Sequence, residues 1–179
     1  MRESGRTKMI VMIAFFIAMD VVLSRLLSIN TPILRIGFGF VPIAICAMMY
    51  GPVWAGVTGA LADIIGAILI PGGAYFPGFT ISSALVGVVF GLFLYKSKGN
   101  WMPILFATAI NCFVISLFLT TFWLSVLWGT PYLELLPVRL LQSSVMVVIQ
   151  FTVLITIEKT MGTRIRRVRY EHKNDSNRP

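Results

Sequence analysis

Three stretches of this chain carry no charged residue at all: Ile36 to Ala62, Ile64 to Tyr95 and Gly99 to Leu133. Each is longer than the ~20 apolar residues that carry an α-helix across a bilayer. Glycine and proline punctuate them at Gly51-Pro52, at Pro71-Gly72-Gly73, at Pro77-Gly78 and at Gly129-Thr130-Pro131. Backbone polar groups find no water in lipid, so such runs resolve into helices. Only 12% of the 179 residues are charged, against about a quarter in a soluble domain. The chain is an integral membrane protein of all-α class.

The breakers divide the apolar sequence into six predicted helices: about 8–28, 38–50, 53–69, 79–95, 103–128 and 133–160. They form one domain over residues 1–179, with a basic polar tail, about 163–179, expected to fray beyond Tyr170. Lys plus Arg outnumber Asp plus Glu by 15 to 7. The excess sits at Arg2, Arg6 and Lys8, at Lys96 and Lys98, and between Lys159 and Arg169. Six spans place all three clusters on one side, which the positive-inside rule makes the cytoplasm, together with both termini. The charge therefore reads as orientation and as attraction to anionic lipid, not as a nucleic-acid surface. The stretch after Met9 is interrupted by Asp20 and Arg25, with no small-residue cleavage site behind it. It reads as a retained first helix rather than a cleaved leader.

Several classes of function lack their residues. No phosphate-binding G-x-x-x-x-G-K-[ST] loop is present, so ATP would have to be used by another chain. The lone histidine, His172, lies in the tail, and Cys46 and Cys112 lie in apolar runs. Neither a metal centre nor a disulfide is expected, and the cysteines read as small buried hydrophobes. No voltage-sensor or selectivity-filter pattern occurs.

The stretch Pro71 to Gly91 organises the rest. Tyr75 and Phe76 are presented between two breakers, and Phe79, Thr80, Ser82 and Ser83 follow in the first turns of an apolar helix. Aromatic faces and small hydroxyls are thereby gathered at a helix mouth, beside a hinged loop that could close as a lid. A turn with interfacial aromatics would look similar. Asp63 falls within the third helix and Arg139 early in the sixth, where a charge costs roughly 2.5–3.5 kcal/mol near a helix centre. They face either a cavity or a structural partner, as Asp63 with Arg139 or Asp20 with Arg25. Arg25 and Arg35 flank the first outer loop and suit a carboxylate, or snorkel to headgroups. Trp128 stands at the third outer loop, and Gln142, Gln150 and Asn111 are helix polar groups able to bond a ligand or a neighbouring helix. Ala14-x-x-x-Ala18 and Gly87-x-x-x-Gly91 permit close helix approach, the first of them also docking of a partner.

The run from Arg35 to Tyr95 resembles the folate family of substrate-binding subunits, the S components, of energy-coupling factor transporters. The resemblance is carried by the Gly51-Pro52 turn, by Ala60-Leu-Ala-Asp-Ile-Ile-Gly66 and by Tyr75-Phe-Pro-Gly-Phe-Thr80. It implies a six-helix vitamin-binding subunit of a prokaryotic plasma membrane that works with a transmembrane scaffold and two cytoplasmic ATPases. It also implies docking of the scaffold on Ala14 and Ala18, and delivery by reorientation in the membrane. No cofactor is implied beyond folate as cargo. Folate's chemistry fits the residues: Asp63 for adjacent pterin N–H donors, and Tyr75, Phe76, Phe79 and Trp128 for the rings. Thr80, Ser83 and Gln142 supply hydrogen bonds, and Arg25, Arg35 and Arg139 meet the glutamate carboxylates. A related S component for pantothenate shares parts of the pattern. A membrane assembly protein is the reading from a different class, and it would need neither the arginines nor the lid.

Overall fold

A computed structural model describes residues 2–30, 35–69, 75–95, 97, 100–129 and 131–176. The expected breakers at Pro71–Gly73, and the turn lysines Lys96 and Lys98, lie outside them. α1 (Arg2–Arg25) takes the basic N-terminal residues into the helix and ends three residues before the predicted Ser28. Behind it, β1 (Ile29–Asn30) pairs antiparallel with β2 (Arg35–Ile36), so a minimal two-stranded ribbon joins an otherwise helical fold.

α2 (Phe40–Tyr50) has 11 residues, a length of about 16 Å, or half the hydrocarbon thickness. It is apolar all round and eight of its residues are buried, as expected for a helix enclosed by others rather than facing lipid. Phe90, Leu94, Ile104 and Leu154 are sealed around it. Gly51 then turns the chain with φ +87° into α3 (Pro52–Leu69).

α4 (Pro77–Leu94) begins two residues earlier than predicted. Pro77-Gly78 reads as a breaker in the sequence, but proline at the first helical position loses an N–H that has no partner there anyway. The pair opens the helix instead of ending the loop. α3 and α4 pack most closely of all. A methyl group on Gly87 would overlap the backbone of Ala55, and one on Gly91 would overlap Pro52. The Gly87-x-x-x-Gly91 strip is thus an internal contact.

The fifth pass, Trp101–Trp128, is not one uniform helix. α5 (Trp101–Ala109) widens into a π-helical run, Ile110–Thr120, before α6 (Thr121–Trp128) resumes. Thr120 and Thr121 donate their hydroxyls to the carbonyls of Ile115 and Ser116, five residues back. Gly129, left-handed at φ +66°, caps α6. α7 (Tyr132–Ser176) is a single helix of 45 residues. The helix runs through the expected stop at Gly162 and continues to Ser176. A glycine costs about 1 kcal/mol in a helix, and the Arg-, Glu- and Lys-rich turns beyond it favour helix enough to offset that.

Five helices are long and apolar enough to cross a membrane, and α2 completes six passes. An even number returns the chain to the end where it began. Large apolar side chains point outward along the long helices, among them Ile10, Phe15, Val53, Ile68, Leu92, Phe118 and Val148. In water that surface would be untenable, and in a bilayer it is the lipid contact.

Candidate ligand-binding site

At the end of the bundle where α1 finishes, the helices part around a cavity of about 750 Å³. Small-molecule pockets run from roughly 300 to 1,000 Å³. α1 supplies Asp20, Ser24 and Arg25, and α3 supplies Ala62, Asp63 and Ala67. Tyr75 and Phe76 enter ahead of α4, which adds Phe79, Ser83 and Val86. The π-helical run contributes Asn111, Cys112, Ile115, Ser116 and Thr120. Trp128 closes one rim, and α7 presents Arg139, Gln142 and Gln150.

Nine of the residues named from the sequence therefore share one space: Arg25, Asp63, Tyr75, Phe76, Phe79, Ser83, Trp128, Arg139 and Gln142. Thr80 stands behind the wall. Its hydroxyl donates to Asp63 Oδ2 at 2.8 Å and lies 3.0 Å from the Tyr75 hydroxyl. Arg35 is the second strand's first residue, and its side chain lies outside the described set. Ala14 and Ala18 are on the exposed face of α1, away from the cavity, beside Ile10, Val11 and Phe15.

The charged groups pair differently from either arrangement weighed in the sequence. Arg25 Nη2 lies 3.8 Å from Asp63 Oδ1, joining α1 to α3. Asp63 thus receives a cation on one oxygen and a hydroxyl on the other, with its side chain still one-fifth exposed. Arg139 donates to Gln142 Oε1 at 3.3 Å, one turn along α7. Asn111 Nδ2 donates to Gln150 Oε1 at 3.0 Å, so these two amides bridge the fifth pass to α7 and also line the cavity.

One participant escapes a reading of the sequence. Trp123 of α6 donates its indole N–H to Ser82 Oγ at 3.2 Å, and its ring lies 5.5 Å from Phe76, which in turn packs edge-on against Phe79 at 6.1 Å. This cluster fastens the start of α4 to α6. Gly78 allows it, since a Cβ there would run into the indole. Nothing in the local sequence marks Trp123 apart from its neighbours Phe122 and Trp128. Asp20, by contrast, had a signal: Asp20 and Ser24 lie four apart on the same face of α1.

Apolar helices around a polar cavity at one end define a multi-pass membrane protein with a pocket of small-molecule size. The family model described as "ECF-type riboflavin transporter, S component" matches residues 4–167. A folate transporter, FolT, of Clostridium novyi is 40% identical over 79% of this chain and 82% of its own length. The FolT of Leuconostoc mesenteroides is 32% identical over 70% and 68%. A crystal structure of FolT bound with folic acid superposes with a TM-score of 0.76 at 36% identity, covering 83% of this chain and 90% of that one. The chain belongs to the S components of ECF-type transporters, which are substrate-binding subunits and not enzymes.

Proposed function

We propose that this S component binds folate for uptake, in the cavity at the Arg25 end. The observation that carries the reading is the cavity's inventory: two arginines, an acid held by one of them, and several aromatic rings around one space. Folate brings a flat heterocycle, a benzoate ring and two carboxylates. Tyr75, Phe76, Phe79 and Trp128 offer ring faces and edges to the flat parts. Arg25 and Arg139, with Arg35 on the adjoining ribbon, offer the planar fork that suits carboxylates. Asp63, Thr80, Ser83 and Gln142 supply the polar contacts between. The relatives named as folate transporters point the same way.

Riboflavin, named in the family description, is a neutral flavin with a polyol chain. It gives the arginines nothing to neutralise. Pantothenate has one carboxylate and no ring to stack.

In this reading the cavity end faces outside, and both termini lie in the cytoplasm of a prokaryotic cell. The whole chain moves as one unit: the first and third outer loops close over the ligand, and the subunit reorients in the membrane against a scaffold docked on Ala14 and Ala18. Two ATPase subunits drive the cycle. The exposed alanines between bulky neighbours favour such a docking strip.

Titration of the purified full chain with folic acid and with riboflavin, followed through tryptophan fluorescence, tests the ligand. Folic acid is expected to saturate the signal at least roughly 100-fold more tightly than riboflavin, given how strongly buried polar groups reject a mismatched ligand. Equal or tighter riboflavin binding overturns the assignment.

A further inference from the structure

Asp20 is the cavity residue that the charge pairing leaves over. It is 5% exposed, in the last third of α1, yet it is part of the cavity wall. Among the described residues, no hydrogen bond or ion pair joins its carboxylate to protein, and its oxygens are not sealed in but open on the cavity. Arg25 lies within electrostatic range, but its closest carboxylate is Asp63. The position is built for a carboxylate. A methyl group on Gly39 would overlap Asp20 Oδ1 and crowd Ser24 Cβ, so the backbone at the mouth of α2 makes room for the acid. Holding an ionisable group at the wall of a cavity within the apolar bundle, with no protein donor, is costly. Such a group is kept where something arriving from outside supplies the donors.

Resting on the reading of the chain as a folate binder, we propose that Asp20 is the specificity-determining acceptor at the cavity's deep end, taking the two adjacent N–H groups of a 2-amino-4-oxo fused pyrimidine. A pterin presents its 2-amino group and N3–H side by side, and a carboxylate's two oxygens match that pair. A flavin presents N3–H between two carbonyls. Against that edge a carboxylate gains one hydrogen bond and faces a carbonyl oxygen with its other lone pairs. Asp20 therefore separates the vitamin named for the relatives from the one named for the family model. Asp63, already engaged by Arg25 and Thr80, holds the wall beside it.

The test compares folic acid with its 2-deamino-2-oxo analogue, whose heterocycle edge is flavin-like while its benzoyl-glutamate is unchanged. Wild-type chain is expected to prefer folic acid by about 10- to 100-fold, the scale of hydrogen bonds to a charged group. Asp20→Asn replaces one acceptor by a donor, which suits the 2-oxo edge, so the preference should collapse or invert. A structural role for Asp20 would weaken both ligands equally and leave the ratio intact. If Asp20→Asn does not fold, Asp20→Ser takes its place: the preference should collapse there too, and an unchanged ratio overturns the role of Asp20. Folic acid binding without discrimination, or an unchanged ratio in Asp20→Asn, overturns the role of Asp20 only. No binding of folic acid to wild-type chain overturns the folate reading and this inference together.

Discussion

Removing Arg25 asks whether the cavity's ion pair holds the bundle, holds the ligand, or does both. The guanidinium and the Asp63 carboxylate are 3.8 Å apart, with side chains 18% and 20% exposed. At an effective dielectric of 20, their attraction is about 4 kcal/mol. Desolvating both groups offsets much of that. Arg25→Met does more than delete the attraction. It leaves Asp63 facing Asp20 across the same cavity, with Thr80 as its described donor. We expect a loss of roughly 2–3 kcal/mol, below the range for fully buried pairs because water reaches these groups from the cavity.

For a chain of this size, that loss lowers the thermal midpoint by about 5–10 °C. The double variant Arg25→Met/Asp63→Asn has no uncompensated charge at the pair and should recover most of the midpoint. Folic acid affinity should not recover, because the cation that meets the carboxylates is still missing. The measurement is thermal unfolding in detergent beside equilibrium binding, on the wild type, both single variants and the double. If the double variant regains stability and affinity together, the pair is structural and touches no ligand. If it regains neither, the pairing across α1 and α3 is not what holds these helices.

Glycine substitutions give a contrast in sign. Gly87→Ala pushes a methyl into the Ala55 backbone, and backbone cannot swing aside. It should cost about 1–3 kcal/mol despite alanine's better helix propensity, read as a lower thermal midpoint. Gly162→Ala meets only the Glu158 carboxylate, at 3.0–3.2 Å, the far end of a flexible side chain. It should stabilise α7 by about 0.5–1 kcal/mol, seen as a raised midpoint. Asn111→Leu strands the buried Gln150 amide and should destabilise by roughly 1–3 kcal/mol, whereas Asn111→Leu/Gln150→Leu should return most of it in the same assay.

Much of the bundle is legible in the sequence because a bilayer allows few alternatives. Charge-free runs must become helices, and breakers mark where they turn. The departures come where one residue type serves opposite purposes. Pro77 ends a helix if it falls inside one and starts one if it falls at the first position, and only the placement of the preceding turn decides. Gly162 looks like a stop, but the charged turns after it continue the helix. The π-helical run Ile110–Thr120 has no proline or paired glycine to announce it. Thr120 and Thr121 bond carbonyls five residues back at its end, but threonines occur in ordinary helices too, so they do not mark it in advance. The residues of the cavity are legible for an energetic reason: a polar side chain in lipid is too costly to keep without use or partner. That reasoning finds Asp63 and Arg139 but not which groups pair, because pairing depends on the rotation of α1 against α3.

The distribution of charge around the cavity also restricts how a ligand can lie in it. Asp20 and Asp63 stand on α1 and α3, while Arg139 is on α7, two turns from its start at the rim beside Trp128. Asp20 sits five residues into the bundle from Arg25, about 7 Å along the helix axis. The two acids and the two arginines that line the cavity balance, so a dianionic ligand would add a net negative charge to it. On the proposed reading, a molecule with donors at one end and carboxylates at the other would lie with its heterocycle toward Asp20 and its glutamate outward. The reverse pose would set carboxylates against the Asp20 carboxylate.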